Sequence, residues 1–279
     1  MRDYDDSPKA ISCVNFGEPK SGKSYFQLTM PKPLALFETD VGSFDRALPA
    51  YEKTLKKELD IGEFCNEDNM EFLKEEFDVP KDIYVVRCPF IPDDEFRTGL
   101  GFYGYILTMN RMITRAIRAP HIQSIVIDTG TWFWEMQHHA EFLKIDHDTR
   151  QNPDKSGEGR QQLQQIEYRN PNARMAQIFR EAGVYNKNLL FNCHQRPTQY
   201  RNNFGEITRT QSPIDGWSKF SRTATIVTHS SMKPNGRPPN REMIPQMDMY
   251  LSGDSLGSVN LQLDYPTWDK LIEFLEEHK

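Results

Sequence analysis

The run Gly17-Glu-Pro-Lys-Ser-Gly22-Lys23-Ser24 fits the pattern G-x-x-x-x-G-K-[ST] and constrains the fold more than any other stretch of the chain. It follows a short apolar run, Ala10-Ile-Ser-Cys-Val-Asn-Phe16, which predicts a buried strand. It opens a segment of helical character, residues 22–30, which two prolines then end. A glycine-rich turn in that position can wrap its backbone amides around phosphate groups. The pattern therefore predicts a phosphate-binding loop at residues 17–24, called the phosphate loop below.

The phosphate loop also predicts a role for individual side chains. Lys23 is expected to reach the β and γ oxygens of ATP, and the Ser24 hydroxyl is expected to ligate Mg²⁺. For Lys20, exposure to solvent or a contact with a partner subunit is an equal alternative to a catalytic role. The candidate nucleotide contacts are Gly17, Glu18, Pro19, Lys20, Ser21, Gly22, Lys23, Ser24 and Tyr25. A coincidental glycine turn is the alternative for the motif as a whole.

Further apolar runs predict a sheet around this loop. Strands are expected at residues 34–40, 83–88, 124–128, 188–194 and 224–229, and helices at 103–117, 132–145 and roughly 171–183. These runs are apolar throughout and are separated by helices, which is typical of a mostly parallel sheet with helices on both faces. A turn at residues 233–239 with flanks that can pair as a hairpin, and an amphipathic helix near the end of the chain, complete an α/β fold.

Length and composition limit the class of protein. The 279 residues are expected to form one domain over 1–279, with a core at about 10–230 and the hairpin and terminal helix at 231–279. No run approaches the 18 or so apolar residues of a membrane span, and the acidic start is unlike a secretory signal, so the sequence predicts an intracellular protein without a membrane partner. The four cysteines lie far apart and are expected to be reduced thiols.

Polar residues follow three of the predicted strands, where a parallel sheet of this kind binds its ligand. Asp128 ends the run Ile-Val-Ile-Asp and is expected to hold Mg²⁺ through a water, with helix capping as the alternative. Glu38 and Asp40 end the strand after the loop helix, and one of them is expected to orient or deprotonate the attacking water. Asp40 is preferred because it lies further beyond the strand, and turn capping is its alternative. His194 is expected to lie near the γ-phosphate, with a structural role as its alternative.

Charge is distributed unevenly along the chain. The net charge is −6, which argues against a protein that coats nucleic acid with its whole surface. Residues 52–82 hold eleven Asp and Glu against five Lys, whereas residues 196–241 hold eight Lys and Arg against two acidic residues. An anionic partner is therefore expected to bind the second stretch, with an ordinary solvated loop as the alternative.

The order of these parts resembles the RecA-like P-loop ATPases, most closely small phage-encoded members of the AAA-type and single-strand-annealing recombination groups. The resemblance spans roughly residues 10–230 and includes the run Pro-Lys-Pro-Leu, which in that family precedes a strand ending Asp-x-Glu-Gly. It implies that Lys23, Ser24 and Asp128 bind Mg²⁺ and ATP, that Asp40 occupies the position of the catalytic glutamate, and that His194 senses the γ-phosphate. The family's order Asp-x-Glu is reversed in this chain, which has Glu38-Thr-Asp40. The reversal leaves open which carboxylate activates water.

The resemblance also implies a DNA partner and a location. The family's DNA-binding loops follow the Asp128 and His194 strands, which here are residues 149–165 and the basic segment, residues 196–222. The cations expected to contact single-stranded DNA are Arg196, Arg201, Arg209, Lys219 and Arg222, interleaved with the aromatic residues Tyr200, Phe204, Trp217 and Phe220. Such proteins act as homo-oligomers with nucleotide at the subunit interface, in the cytoplasm of a bacterial host if phage-encoded.

Three functions remain open from the sequence. The first is an ATP-dependent protein that acts on single-stranded DNA in recombination, annealing or replication. The second is a small-molecule or nucleotide kinase, in which arginines of the basic segment would close over the phosphates as a lid. The third is a nucleotide-dependent assembly or packaging scaffold with weak hydrolysis, in which arginines such as Arg222 would reach a neighbouring subunit's site.

Overall fold

Most of the predicted core is defined in the computed structural model of the chain. The structure describes residues 10–40, 42–63, 77, 79–88, 101–150, 163–197, 199–201, 207–209, 213–235, 242–251 and 261–277.

Strands and helices alternate along the first two thirds of the chain. In order they are β1 (Ser12–Gly17), α1 (Lys23–Leu28), β2 (Leu34–Glu38), α2 (Ser43–Leu55), β3 (Ile61–Glu63), β4 (Ile83–Arg87), α3 (Gly101–Arg118), β5 (Ser124–Asp128), α4 (Gly130–Arg150), a 3₁₀ turn (Gln165–Tyr168), α5 (Arg169–Val184) and β6 (Asn188–Gln195). The remainder is richer in strands: β7 (Gln199–Arg201), β8 (Ile207–Arg209), β9 (Ile214–Asp215), α6 (Phe220–Thr223), β10 (Ile226–Asn235), β11 (Glu242–Leu251), β12 (Leu261–Asp264) and α7 (Trp268–Glu277).

Ten of these strands form one mixed sheet that is mostly parallel. Its order is β12-β11-β10-β1-β6-β5-β2-β4-β3, with β9 paired to the end of β6. The seven strands from β10 to β3 run parallel, while β11, β12 and β9 are antiparallel to their neighbours. The predicted α/β fold with a mostly parallel sheet is confirmed. Because β6 lies between β1 and β5, the phosphate loop and Asp128 end strands that are two positions apart.

Helices cover both faces of the sheet, as predicted. Alternate residues of β1 face opposite ways: Val14 and Phe16 belong to one buried cluster, and Cys13 belongs to the other. The first cluster is completed by apolar faces of α3, α4 and α5, and the second by α1, α2 and α7. Strands buried on both faces must be apolar along their whole length, which explains why their sequences do not alternate.

The hairpin formed by β10 and β11 extends past the end of β1. The pairing of β1 with β10 ends at Gly17 opposite Ser230, but β10 and β11 remain paired as far as Asn235 and Glu242. Residues 231–235 and 242–246 therefore project beyond the carboxyl edge of β1. A methyl group placed on Gly22 would lie 3.3 Å from Pro245 Cβ, so β11 passes beside the phosphate loop.

The predicted elements agree with the structure apart from several short or interrupted ones. The strand predicted at 224–229 begins at Ile226 and continues to Asn235, because β11 supplies it with a full-length partner. The helices α2 and α6, the 3₁₀ turn and the strands β3, β7, β8, β9 and β12 were not predicted. The cysteines Cys13, Cys88 and Cys193 are free and buried, while Cys65 lies outside the described residues. Within the described part of the chain, no helix has the length and apolar character that crossing a membrane requires.

Candidate nucleotide site

The phosphate loop connects β1 to α1 through backbone conformations that its sequence permits. Gly22 has a φ of +92°, in the left-handed region that glycine adopts without the steric penalty of a side chain, and it precedes the first residue of α1. A Cβ on Gly17 would collide with the Ser230 carbonyl oxygen, because β10 runs against the start of the loop. These two glycines therefore fix a tight turn at the carboxyl edge of the sheet.

Lys23 is folded onto the loop it belongs to. Its Nζ donates hydrogen bonds to the carbonyl oxygens of Gly17 and Glu18, both at 2.7 Å, and to Ser21 Oγ at 3.3 Å. The side chain is buried, with 8% exposed. Burial lowers the pKa of Lys23, and the nearby Asp128 carboxylate partly offsets that effect. The ammonium group is thus held at the centre of the loop, within the electrostatic reach of Asp128.

The other predicted loop contacts differ in what they offer a ligand. Ser24 is half-buried, and its hydroxyl makes no hydrogen bond with any described residue. Tyr25 directs its hydroxyl to Thr54 Oγ1 on α2 at 3.2 Å, so its side chain contacts α2. Glu18, Pro19 and Lys20 are exposed, while Ser21 is buried.

Asp128 ends β5 as a buried carboxylate. It is 2% exposed, and its Oδ2 accepts a hydrogen bond from Ser43 Oγ at 2.7 Å. Burial raises the pKa of Asp128 above its ordinary value, although the Ser43 hydroxyl, the Gln27 amide and the Lys23 charge all favour the charged form. Asp128 is thus a buried carboxylate with a serine hydroxyl bonded to it and a lysine charge nearby.

Glu38, at the end of the adjacent strand β2, is enclosed by other groups. Its Oε1 accepts hydrogen bonds from Phe44 N at 2.9 Å and Ser43 Oγ at 3.1 Å, and its Oε2 lies 3.5 Å from Arg87 Nη1. Burial raises the pKa of Glu38, against the effects of the Phe44 amide and Arg87. Arg87 itself is held by Asp45 at 2.8 Å and by Glu63 at 3.2 Å. Asp40, in contrast, is exposed, and its side chain makes no hydrogen bond with the described residues.

The end of β6 lies between the end of β1, where the phosphate loop begins, and the end of β5 at Asp128. His194 is opposite Gly17 in the register of β6 with β1, and it is half-buried beside Trp132, with ring centroids 6.3 Å apart. The next residue, Gln195, contacts His229 Nε2 on β10 through its Oε1 at 3.0 Å. The His229 ring stacks on Phe16 with a centroid distance of 4.7 Å, and burial lowers the pKa of His229. The structure therefore brings Lys23, Asp128, Glu38 and His194 to one edge of the sheet.

The donor set fits Mg²⁺. Mg²⁺ prefers oxygen ligands and is commonly held by one or two carboxylates together with substrate phosphates. The Ser24 hydroxyl has no competing partner among the described residues, and Asp128 supplies a carboxylate at the same edge. No group of three or more His, Cys, Asp and Glu side chains suited to a metal occurs among the described residues.

The basic segment is described only in part. Arg196 is exposed and forms an ion pair with Asp215 at 2.9 Å, and Lys219 and Arg222 are exposed. Arg201 and Arg209 lie on the paired strands β7 and β8, and their side chains lie outside the described structure.

The aromatic residues predicted to stack on DNA bases are divided. Trp217 and Phe220 are 2% and 1% exposed and belong to the core, so the prediction that they stack on bases is wrong. The indole N–H of Trp217 donates to Asn172 Oδ1, and both rings pack against Phe179. Phe204, the Tyr200 side chain and most of the stretch 149–165 lie outside the described residues.

Two residues of the site were not predicted from the sequence. Ser43 bonds to both buried carboxylates, and Gln27 on α1 lies beside Asp128. A signal for Gln27 exists, because it is a polar residue inside the apolar run Tyr-Phe-Gln-Leu, and such a residue is buried at a cost unless it is bonded. The sequence matches no protein-family model, and no curated protein is significantly similar to it.

Proposed function

We propose that this protein binds and hydrolyses ATP as a RecA-like P-loop ATPase, and that it acts on single-stranded DNA in recombination, annealing or replication. The observation that carries the proposal is the placement of Lys23 in the phosphate loop, buried and electrostatically coupled to Asp128 from a neighbouring part of the same sheet edge. Burying a lysine near a buried carboxylate adds little to stability, because the cost of removing both charges from water offsets their attraction. A purely structural role therefore explains the placement of Lys23 poorly.

In this proposal the loop binds the triphosphate through the Lys23 ammonium and the loop backbone. Phosphate oxygens replace the Gly17 and Glu18 carbonyl oxygens as acceptors for the Lys23 ammonium, which keeps its three hydrogen bonds while it gains opposite charge. The left-handed Gly22 leaves the backbone free to approach the ligand closely. Ser24 and Asp128 would hold Mg²⁺, which neutralises charge on the phosphates.

Asp40 is the better supported group for positioning the attacking water. Both oxygens of Glu38 face donors of the protein, namely Ser43, Phe44 and Arg87. Asp40 is exposed two residues beyond the strand end, and its side chain is free to accept a hydrogen bond from water. In this proposal Glu38 is a structural carboxylate that fixes the start of α2.

The DNA partner is proposed from charge. Residues 196–241 carry eight Lys and Arg against two acidic residues, in a chain whose net charge is −6. The exposed Lys219 and Arg222 lie on the part of this stretch that follows β9, which pairs with the end of β6 beside the nucleotide site. Phosphate contacts of this kind bind strands without reading their sequence. A homo-oligomer with nucleotide between subunits belongs to the same proposal.

The test is the release of phosphate from ATP, measured with and without a single-stranded oligonucleotide. Hydrolysis that increases with the oligonucleotide supports the proposal. Transfer of phosphate to a metabolite would favour the kinase, and binding without turnover would favour the assembly scaffold. Absence of both ATP binding and turnover would contradict all three.

A further inference from the structure

Four buried polar side chains form a line across the sheet below the phosphate loop. They are Ser230 on β10, Asn15 on β1, Asn192 on β6 and Gln27 on α1. Ser230 is 2% exposed, and the other three are completely buried. We call these four residues the amide chain.

Each member of the amide chain donates a hydrogen bond to the next. Ser230 Oγ donates to Asn15 Oδ1 at 2.9 Å, and Asn15 Nδ2 donates to Asn192 Oδ1 at 3.3 Å. Asn192 Nδ2 then donates to Gln27 Oε1 at 2.5 Å. The last donor, Gln27 Nε2, is buried and has no hydrogen-bond partner in the part of the chain that the structure describes. The series of hydrogen bonds thus ends at an N–H group that has no acceptor among the described residues.

That spare donor is placed near Asp128, because Asn192, which bonds to Gln27 Oε1, is the register partner of Asp128 on the adjacent strand β5. The Gln27 amide and the Ser43 hydroxyl both lower the pKa of this carboxylate, although Gln27 Nε2 forms no hydrogen bond with it in this structure. Reversing every amide in the chain would instead turn Gln27 Oε1 toward a carboxylate, which is repulsive. The Asp128 carboxylate therefore sets the direction, because the Ser230 hydroxyl at the other end can either donate or accept.

A buried amide donor without a partner costs free energy, and native proteins keep few of them. Ser230, Asn15 and Asn192 each use a donor within the amide chain, so within it only Gln27 has an amide donor with no partner among the described residues. The unused donor, Gln27 Nε2, belongs to α1, the helix that follows the phosphate loop, on the side of the proposed metal ligand Asp128. Such a donor is suited to a carboxylate whose second oxygen, or bound water, must be held in place.

We propose that Gln27 is a positioning residue, which orients Asp128 for Mg²⁺ through its side-chain N–H while the amide chain fixes its own orientation. This inference rests on the proposed function. It adds that hydrogen bonds crossing β1 and β6 connect β10, the strand which carries the C-terminal hairpin, to Gln27.

The test compares Gln27→Met with the wild type by equilibrium binding of a fluorescent ATP analogue, titrated with Mg²⁺ and repeated without metal. Methionine preserves the volume of the side chain but removes both amide groups. We expect affinity without metal to stay within about two-fold, since the loop is unchanged. The Mg²⁺ concentration for half-maximal enhancement of binding should rise by about 10- to 100-fold, the usual effect of losing a group that orients a metal ligand.

The matched control is Gln137→Met. Gln137 is also completely buried, and it exchanges two hydrogen bonds with Asn110 between α4 and α3, on the other face of the sheet. This variant should lose stability but retain the Mg²⁺ dependence of the wild type. If Gln27→Met does not fold, Gln27→Asn keeps an amide that is one methylene too short to reach both Asn192 and Asp128, and it should shift the Mg²⁺ dependence in the same direction.

The outcomes separate this inference from the proposed function. A wild type that binds no ATP analogue under either condition would overturn the proposed function. A wild type that binds with a Mg²⁺ requirement, together with Gln27 variants of identical Mg²⁺ dependence, would overturn the positioning role alone. Equal losses with and without metal would show that Gln27 only supports the loop, and would overturn it as well.

Discussion

The Ser43 hydroxyl donates a hydrogen bond to Asp128 Oδ2 at 2.7 Å, although the two residues are 85 positions apart in the sequence. The same hydroxyl lies 3.1 Å from Glu38 Oε1. A serine has one hydrogen to donate, so two buried carboxylates compete for it. This contact joins the start of α2 to the ends of β2 and β5, and it makes Ser43 a structural support of the candidate site.

Replacement of Ser43 by alanine should therefore destabilise the protein. Loss of a donor to a buried carboxylate is expected to lower the free energy of unfolding by about 1–3 kcal/mol at neutral pH. Ser24→Ala is the control, because the Ser24 hydroxyl has no partner among the described residues, and its stability should change by about 0.5 kcal/mol or less. Urea unfolding of both variants measures the difference, and equal stabilities would contradict the role of Ser43.

Asp128→Asn should reduce Mg²⁺-dependent hydrolysis more than nucleotide binding. The change removes charge beside the metal but leaves the backbone of the phosphate loop intact, so we expect a loss in turnover of about 10- to 100-fold. Steady-state hydrolysis and equilibrium binding of an ATP analogue give the two quantities. If Asp128 only caps the following helix, turnover should survive, because asparagine also caps well.

The same variant should change how stability depends on pH. Burial raises the folded-state pKa of Asp128 above its ordinary value of 3.8. Its contribution to stability is therefore present below pH 3.8 and is lost as the pH rises through the raised pKa. Asp128→Asn should remove this loss, so its stability relative to the wild type should improve as the pH increases. Thermal unfolding without Mg²⁺ over a pH series tests the sign, and a constant difference between the two proteins would contradict it.

Two glycine-to-alanine variants should have opposite effects on stability. Gly22 has a left-handed φ of +92°, so alanine there should cost about 1–2 kcal/mol and weaken nucleotide binding. Gly104 lies inside α3, and a methyl group there would have no neighbour within 4 Å. Alanine at Gly104 should therefore stabilise the protein by about 0.5–1 kcal/mol. Chemical denaturation of both variants is the measurement, and a stabilising Gly22→Ala would contradict the described loop.

Replacement of Arg201 and Arg209 by alanine should weaken binding to single-stranded DNA of any base sequence. The slope of log affinity against log salt should flatten by about 0.7 for each DNA phosphate that the variant no longer neutralises, while basal ATP hydrolysis persists. Arg180→Ala, an exposed position on α5, serves as the control. Binding of a labelled oligonucleotide at several salt concentrations tests this, and a double variant identical to the wild type would remove the DNA assignment from the basic segment.

The sequence predicts the central sheet well because its strands are continuous apolar runs that end in polar residues. Ser124–Asp128 was predicted to the residue, and the loop between β1 and α1 lies where its motif requires. The helix α2 was missed because Pro49 interrupts the helical pattern of Ser43–Leu55. The strand β3, of three residues, is too short to show a period and depends on pairing with β4.

The candidate site was predictable only where one motif carries the information. Lys23, Ser24 and Asp128 follow from local patterns and the direction of parallel strands. The contact between Ser43 and Asp128 depends on where α2 starts, which the sequence does not indicate. Asn15 and Asn192 are interpretable in retrospect, since an asparagine within an apolar strand needs a buried partner, but each identifies its partner only in the folded sheet.

Lys23→Ala tests the central claim, that residues 17–24 bind a triphosphate, most directly when it is compared with Lys20→Ala. Both lysines belong to the same loop, but Lys23 is buried and bonded to it, whereas Lys20 is exposed. The measurement is the rate of phosphate release from Mg²⁺-ATP by folded protein, verified by circular dichroism. We expect Lys23→Ala to lower the rate by at least about 100-fold and Lys20→Ala to leave basal hydrolysis near the wild-type rate. Unchanged hydrolysis in a folded Lys23→Ala protein would contradict the account.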